Sequence, residues 1–323
     1  RKYGMFVFDK RAEFFIATVL GFQISPGNDR QKDCAGLHGG FDRAMHLLAD
    51  GPDREKLDLI VSNVRGASER EGDILAQMAS TRCAEARLHE LFTRHSAATV
   101  HDAISDLHDQ SEAEMRAAIR ALPDGVFEGE DFLDHDGIGK LPIAVRVRIT
   151  IAGDEAVFDF STTDDAARGP LNATPFTAAA SVFYAMKAIA GPNIQPNAGC
   201  ARPLKIVTRP GSLLNPPMES PVVGGNHETS QRIVDAIFKA LETTVPERLS
   251  AGGSTTSGLL LFSGIDPRTK RWVTLYEVHG GGEGARKDRD GGPAVRAHMS
   301  NVMNTPAEII EAFYPIRVEK QAL

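Results

Sequence analysis

Residue types that move protons or bind anions are concentrated in one stretch of the chain, residues 276–306. This stretch contains six glycines and two histidines, and it has few apolar side chains. Glu277 and His279 are two apart at the end of a strand pattern, so they are predicted to share one face of that strand. A histidine near a carboxylate is an effective general base at neutral pH. Glu277, His279 and His298 are therefore candidate acid–base residues, and an ordinary surface loop of the same composition is the alternative.

The same stretch carries candidate groups for binding an oxyanion or a carboxylate. Glycines let the backbone approach a ligand closely, and backbone N–H groups are effective donors to an oxyanion. The candidates are the N–H groups of Gly280, Gly281 and Gly282 and the side chains of Arg286, Asn301 and Asn304. The two histidines do not have the HxH or HxxxH spacing of a metal site, so no metal ligand is assigned to this chain.

A second constellation precedes a predicted helix and reads GGNHETS. The first N–H groups of a helix are unpaired and the helix dipole favours anions there, so Gly225 and Asn226 are candidate anion-binding residues and His227 is a candidate acid–base residue. Thr229 or Ser230 is the predicted N-cap. An ordinary capped helix start is the alternative. The Lys-Ser/Thr ending of a phosphate-binding loop is absent.

The elements that must position these groups change type near residue 123. Before it, apolar spacings of three and four predict helices, of which residues 68–95 and 99–122 are expected to form an antiparallel hairpin. After it, alternation with a period of two predicts strands. The strands are predicted over residues 125–133, 141–151, 156–160, 204–208, 258–262 and 272–276, and helices over 176–190, 231–243 and 307–313.

These patterns predict an α+β fold in which a helical hairpin region is followed by a mixed, strand-rich domain with glycine-rich loops. Three regions are expected: residues 1–40 as remnant N-terminal strands and a loop, 41–122 as a helical region, and 123–323 as an α+β core domain. Residues 3–20 read as two short strands, and residues 41–49 read as a short helix.

Composition narrows the classes of partner and compartment. The net charge of −7 argues against a nucleic-acid or anionic-membrane surface. No apolar run approaches the roughly 20 residues that a membrane span needs. The three cysteines are widely spaced and odd in number, which indicates neither a disulfide framework nor a CxxC metal site. A reducing, cytoplasmic setting is expected.

Five motifs occur together and in a fixed order. They read LPDGVFEGEDFLDHDGIG, VFDFSTTDDAARGPLNAT, NIQPNAGCARPLKIVTRPGSLLNPP, VVGGNHETSQRIVDAIFKAL, and YEVHGGGEGAR followed by HMSNVMNTPAEIIEAFYPIRVE. Together they resemble the hydantoinase B/oxoprolinase family, which includes the B-type subunit of N-methylhydantoinase, the C-terminal half of 5-oxoprolinase, and subunits of acetone and acetophenone carboxylases. The likeness extends from about residue 53 to the end of the chain.

The resemblance implies a subunit that works beside a hydantoinase A-type ATPase subunit, with other subunits of the complex and a small carbonyl substrate. ATP would be bound by that partner subunit, and a divalent metal, Mg or Mn, would belong to the complex without being ligated by this chain. Ketone carboxylation is the favoured activity. Ring opening of a hydantoin or of 5-oxoproline, and a non-catalytic structural subunit, are the alternatives.

The chain departs from the family pattern where family members carry metal-ligand motifs. No GGTHxxD motif is present, and Phe22 and Ile24 stand where a second motif has His and Asp. Neither side chain can coordinate a hard cation. The N-terminal metal-site region is therefore expected to be missing. His227 and His279 also replace more ordinary residues of the family, so a relocated site is a further hypothesis.

Overall fold

The computed structural model describes residues 53–64, 67–139, 141–300 and 302–320. The strands predicted within residues 3–20 and the helix predicted over 41–49 lie outside these described residues, as do Phe22, Ile24 and Asn301. The chain divides into two compact units, residues 1–102 and 103–323.

Helices make up the described part of the first unit. Helix α1 spans Arg54–Val61, α2 spans Ala67–His95, and α3, which spans Ala97–Arg120, begins here and continues into the second unit. Asp53 caps α1 by accepting a hydrogen bond from the backbone N–H of Lys56 at 3.2 Å. A small apolar cluster holds α1 against α2 and consists of Leu57, Ile60, Ile74 and Met78. These helices confirm the helical pattern, while the antiparallel arrangement of α2 and α3 stays a prediction.

A four-stranded sheet organises the second unit. Strands β1 (Gly125–Leu133), β2 (Ile143–Ala152), β3 (Glu155–Asp159) and β4 (Leu204–Val207) lie in the order β1-β2-β3-β4. The first two pairs are antiparallel and β3 pairs with β4 in parallel. A parallel pair needs a crossover connection, and here it contains α4 (Pro175–Ala190) and the short α5 (Ala198–Ala201). The predicted α+β class is confirmed.

Helix α6 (Ser230–Leu241) packs across β1 and β2 and beside α4. Its apolar face, with Ile233, Val234 and Ile237, is fully buried in the main core. Each such side chain contributes about 1.5–3 kcal/mol when it leaves water. The opposite face of α6 is charged, and the sheet therefore fixes the direction in which those charged side chains point.

Gly129 of β1 is the point of closest approach between the sheet and α6. A Cβ atom at this position would lie 2.2 Å from the carbonyl oxygen of Ala236 and 2.7 Å from the backbone nitrogen of Ala240. Only a glycine fits there, because the obstructing atoms are helix backbone and cannot rotate away.

Gly129→Ala is expected to lower the free energy of unfolding by about 3 kcal/mol, the upper range for overpacking. Chemical denaturation of the two proteins measures this difference. Gly264→Ala is the matched control, since Gly264 is also a strand glycine but has open space around its Cβ position. Equal loss of stability in both variants would contradict the close-approach explanation.

A separate two-stranded antiparallel sheet contains β5 (Gly258–Ile265) and β6 (Trp272–His279). The last strand runs past its predicted end at Tyr276, because His279 pairs with Gly258. Large apolar side chains of this sheet are 40–65% exposed: Leu259, Leu260, Leu261, Phe262, Ile265 and Trp272. Helix α7 (Ala307–Phe313) follows. None of the described helices is both long and apolar enough to cross a membrane.

Candidate active site

One face of α6 lines a cavity of about 450 Å³. Arg232, Asp235, Lys239 and Glu242 succeed one another at spacings of three and four, which places them on the same side of the helix. Asp131 of β1 and residues 250–253, 255, 285 and 287 contribute to the other walls. We call residues 250–255 the cavity loop. Because the apolar side of α6 is fixed on the sheet, its charged side forms a rigid wall of the cavity.

Asp235 connects the cavity to a buried histidine. Its Oδ1 lies 3.1 Å from Nε2 of His298, and Nδ1 of His298 makes a long contact of 3.4 Å with the hydroxyl of Tyr184. The imidazole is 7% exposed and meets the rings of Tyr184 and Phe238 edge-on. His298 itself does not line the cavity, whereas Asp235 does. The group that faces a ligand is therefore the carboxylate, with the histidine supporting it.

The hydrogen bonds assign the proton positions. A carboxylate only accepts, so His298 donates from Nε2 to Asp235, and in the neutral ring Nδ1 then accepts from the hydroxyl of Tyr184. Burial raises the pKa of Tyr184, and the charge of Asp235 raises it further, while Arg286 partly opposes both. The phenol consequently stays protonated at neutral pH. Oδ2 of Asp235 has no donor within the described part of the chain and remains open to a ligand.

The backbone at His298 is strained. His298 and Met299 have φ values of 53° and 52°, in the left-handed region that non-glycine residues rarely adopt. Such conformations cost about 1–3 kcal/mol each and persist where the surrounding structure enforces them. Here Asp235, Tyr184 and Phe238 surround the imidazole and hold it in place.

The predicted glycine donors mainly serve close packing between chain segments. We call residues 280–295 the glycine loop. A Cβ on Gly280 would lie 2.4 Å from the carbonyl oxygen of Ala294, and one on Gly281 would lie 2.0 Å from Oγ of Ser254. The N–H of Gly282 donates to the carbonyl of Val295 at 2.9 Å, so it is occupied. The role of these three glycines in anion binding stays a prediction.

His227 belongs to a second polar network. Its Nδ1 lies 3.2 Å from Oε1 of Glu228, which also accepts the backbone N–H of Ser257 at 2.8 Å, while Thr256 donates to Oε2 at 2.5 Å. Arg296 donates to the hydroxyl of Ser257. This network joins the start of α6 to the segment that follows the cavity loop.

Burial alone would raise the pKa of Glu228, but hydrogen bonds from His227, Thr256 and Ser257 outweigh it and hold the pKa below its ordinary value. A lowered pKa in the folded state stabilises the protein above the ordinary pKa, and this contribution is lost as the pH falls through the lowered value.

Glu228→Gln is therefore expected to lower the free energy of unfolding by about 1 kcal/mol at pH 7, since partial exposure screens the interaction. The difference between the two proteins should shrink as the pH falls below the ordinary pKa of a glutamate and through the lowered pKa of Glu228. Denaturant titrations across this pH range measure it. A difference that stays constant with pH would show that shape, and not charge, is what Glu228 contributes.

The start of α6 differs from the predicted capped helix. Residues Gly225–Thr229 form a π-helical turn that runs directly into α6. Neither predicted cap residue caps the helix: the hydroxyl of Thr229 donates to the carbonyl of Leu171, and that of Ser230 donates to the carbonyl of Asn226. The helix continues through the position where an N-cap was expected, because the π-turn already pairs its backbone groups.

The N–H of Gly225 is already paired, so it is not one of the free donors on which the anion-site prediction rested, while a role of Asn226 in anion binding stays a prediction. The N–H of Gly225 donates to the carbonyl of Val222 at 3.0 Å. A Cβ on Gly225 would lie 2.2 Å from the carbonyl oxygen of Asn172, so this glycine permits close packing. Asn226 is exposed at the surface.

The other predicted site residues do not converge on the cavity. Glu277 is buried and both its oxygens bind Thr305, from the backbone N–H at 3.1 Å and from the hydroxyl at 2.7 Å. His279 is exposed at the end of β6, and Arg286 and Asn304 are exposed as well. Glu277 and His279 therefore differ in environment, and of the four predicted acid–base residues it is His298 that contacts a cavity side chain.

Sequence reasoning missed Asp131, Arg232, Asp235 and Thr255. On an amphipathic helix, charged residues opposite the apolar face usually point into solvent, and nothing local marks Arg232 and Asp235 as different. A signal was available in their spacing, since Arg232, Asp235, Lys239 and Glu242 alternate in sign along one face. Thr255 has no sequence signal beyond the glycine pair that precedes it.

Two of the three cavity carboxylates have hydrogen-bond partners within the protein. Asp131 accepts from Arg232 at 3.1 Å, and Asp235 is paired with His298. No group of three or more His, Cys, Asp or Glu residues is suitably placed for a metal ion anywhere in the residues that the structure describes. The donor set around the cavity fits an organic ligand with charged groups better than a cation.

Comparison with known proteins connects this chain to a family. The family model of hydantoinase B/oxoprolinase matches residues 41–323. An uncharacterized protein of Methanocaldococcus jannaschii is 35% identical over 84% of this chain and 46% of its own length. A protein of Pseudomonas sp. strain NS671, named as the B-type subunit of a D-/L-hydantoinase, is 30% identical over 82% of this chain and 46% of its own length. The chain thus spans about half the length of these relatives.

Two solved structures share the fold. The crystal structure of ATP-dependent caprolactamase from Pseudomonas jessenii superposes with a TM-score of 0.78 at 27% identity, covering 86% of this chain and 49% of that one. A nucleotide-free acetone carboxylase superposes with a TM-score of 0.76 at 17% identity, covering 84% of this chain and 38% of that one.

Proposed function

Because the chain belongs to the hydantoinase B/oxoprolinase family, we propose that it is a subunit of an ATP-dependent complex that opens a cyclic amide by hydrolysis. The observation that carries this proposal is the pairing of Asp235 with His298 at the wall of the cavity. In a hydrolysis, water must lose a proton as it attacks a carbonyl carbon. An oriented carboxylate with a free oxygen is suited to accept that proton.

Asp235 and the two residues beside it have different roles in the proposed reaction. Oδ1 accepts a hydrogen bond from His298, which fixes the plane of the carboxylate, and Oδ2 is free to accept a proton from a ligand. Tyr184 keeps the imidazole in one tautomer. Asp235 is thus the proposed catalytic residue, while His298 and Tyr184 are positioning residues.

The relatives favour amide hydrolysis over ketone carboxylation. Two relatives that are 27% and 30% identical to this chain are named for a caprolactam and a hydantoin. Both of these compounds are cyclic amides. The acetone carboxylase structure is only 17% identical, so its similarity shows a shared fold and does not favour an activity. Ketone carboxylation, which the sequence favoured, stays a prediction.

In this proposal, ATP and a divalent metal belong to the complex as a whole and are not bound by this chain. The described residues offer no group of three or more His, Cys, Asp or Glu side chains that could hold a metal ion. They also include no Lys-Ser/Thr phosphate loop. We assign ATP to an A-type partner subunit, as the family resemblance implies.

The exposed apolar residues of the β5–β6 sheet support the presence of a partner subunit. Six large apolar residues of these strands are substantially exposed, and they lie on both faces of the sheet, because successive strand residues alternate in direction. Exposed apolar surface of this extent is typical of surfaces that bind another protein. This observation also favours the second candidate function, a structural subunit, in which the interface rather than the cavity would be the important feature.

An assay of the complex tests the proposal. The chain is purified with its co-purifying subunits and supplied with ATP and, separately, with ε-caprolactam, hydantoin, 5-oxoproline, or acetone plus bicarbonate. ATP hydrolysis coupled to ring opening of a cyclic amide is the expected result. Stimulation by the ketone and bicarbonate alone, or full amide hydrolysis without this subunit, would overturn it.

A further inference from the structure

Thr255 of the cavity loop combines three unusual properties. It lines the cavity, it is 2% exposed, and its hydroxyl has no hydrogen-bond partner. Its φ of 37° lies in the left-handed region, which β-branched residues rarely adopt. Nearly all buried polar groups in folded proteins are paired, so an unpaired hydroxyl at a cavity wall indicates a partner that the protein itself does not supply.

The backbone beside Thr255 also has unused donors. The cavity loop is held in place by hydrogen bonds from the N–H groups of Ala251 and Ser254 to the glycine loop, at 2.8 Å and 3.0 Å. The N–H groups of Gly252, Gly253 and Thr255 meet no acceptor within the described residues. A Cβ on Gly252 would meet nothing within 4 Å, so space is available there.

Arg232 adds a cation with spare donors to the same cavity. Its Nη1 donates to Asp131 at 3.1 Å, while its buried Nε has no partner. A guanidinium carries five N–H donors in a planar fork that matches the two oxygens of a carboxylate. The hydroxyl of Thr255, the free N–H groups of the cavity loop and the guanidinium of Arg232 together form a candidate binding site for an oxyanion.

The charges of the cavity select the kind of oxyanion. Three acidic side chains, Asp131, Asp235 and Glu242, balance three basic ones, Arg232, Lys239 and Lys287. A phosphate dianion would face repulsion from the acidic groups, whereas a ligand with one carboxylate and one ammonium meets both signs.

We propose that this cavity binds a short amino acid, with its carboxylate at Thr255, Gly252, Gly253 and Arg232 and its ammonium toward Asp235 or Glu242. This inference rests on the proposed function to the extent that the ring-opened product of a lactam, such as ε-caprolactam or 5-oxoproline, carries both of these groups. The binding itself requires neither ATP nor turnover.

Calorimetry on the full chain with its co-purifying subunits, in the absence of ATP, tests the proposal with 6-aminohexanoate, hexanoate, hexylamine and inorganic phosphate as probes. We expect 6-aminohexanoate to bind more tightly than the other three. Thr255→Val keeps the shape and removes the hydroxyl, and it should weaken 6-aminohexanoate binding about tenfold. Thr255→Ser should retain it. Thr269→Val, at an exposed turn, is the matched control and should bind as the wild type.

The assignment would be overturned if phosphate bound more tightly than 6-aminohexanoate, or if the Thr255→Val protein were folded, as judged by thermal unfolding, and bound with unchanged affinity. Absence of binding by any probe at millimolar concentration would overturn it as well. Failure of amide hydrolysis in the assembled complex would instead count against the proposed function, because the binding measurement does not depend on catalysis.

Discussion

Asp235→Asn is expected to lower kcat of the assembled complex by about 10²- to 10⁴-fold, the range for loss of a general base. Asparagine preserves the size of the side chain and can still accept the hydrogen bond from His298, but it cannot take a proton. The cavity wall should keep its shape, because the apolar face of α6 is anchored in the core. The measurement is the steady-state rate of amide-dependent ATP hydrolysis, with assembly checked by gel filtration.

Asp106→Asn is the matched control, since Asp106 is an exposed helical aspartate outside the cavity, and it should leave kcat unchanged. Wild-type turnover by the Asp235→Asn complex would remove this carboxylate from the chemistry and favour the structural-subunit alternative. Loss of assembly along with turnover would indicate a structural role for Asp235 and would contradict the prediction in the same way.

His298→Gln separates positioning from direct catalysis. Glutamine can keep one hydrogen bond to Asp235 but lacks the ring that packs between Tyr184 and Phe238. If His298 is a positioning residue, His298→Gln should lower kcat less than Asp235→Asn does. It should also change the pH dependence of kcat, because the environment of the carboxylate changes. If His298 itself exchanged the proton with substrate, His298→Gln would lower kcat at least as much as Asp235→Asn does.

The fold followed from the sequence where one pattern dominates locally. The alternation of Ile143, Val145, Val147 and Ile149 predicted β2, and in the structure the last three are buried in the main core while Ile143 packs against it. Helix α6 was predicted from its apolar spacing, and its true start differs by about one residue. The π-turn before it was not predicted, since it depends on tertiary contacts of Gly225 and Thr229 with residues 171–173.

The candidate site was less accessible to sequence reasoning, because it is assembled from distant segments. His298 was identified by its residue type, but its partner Asp235 lies 63 positions earlier on a helix face that resembles a solvated one. Glu277 was interpreted as a proton acceptor, whereas the structure gives both its oxygens to Thr305. Residue type indicates which chemistry is possible, while burial and partners decide which group faces the cavity.

The glycines illustrate the same distinction. Their density was interpreted as a ligand-binding backbone, and the structure shows that several of them permit close contact between the glycine loop and the cavity loop. Gly284 is the tightest of these contacts: a Cβ there would lie 1.8 Å from the carbonyl oxygen of Ala251. Ala251 also donates its own N–H to the carbonyl of Ala285 at 2.8 Å, so the two loops are coupled through their backbones.

Gly284→Ala is therefore expected to displace the cavity loop and lower kcat by about 10²-fold, the cost of a misplacement of about 1 Å near a reacting group. The main core lies elsewhere, around α4, α6 and the four-stranded sheet, so the midpoint of global unfolding should change little. The two measurements are steady-state turnover of the complex and thermal unfolding of the chain. Gly258→Ala is the control, because a Cβ there meets its nearest neighbour at 3.4 Å. Full activity in Gly284→Ala would show that the cavity loop tolerates displacement, whereas loss of activity with global unfolding would assign Gly284 to the stability of the whole unit.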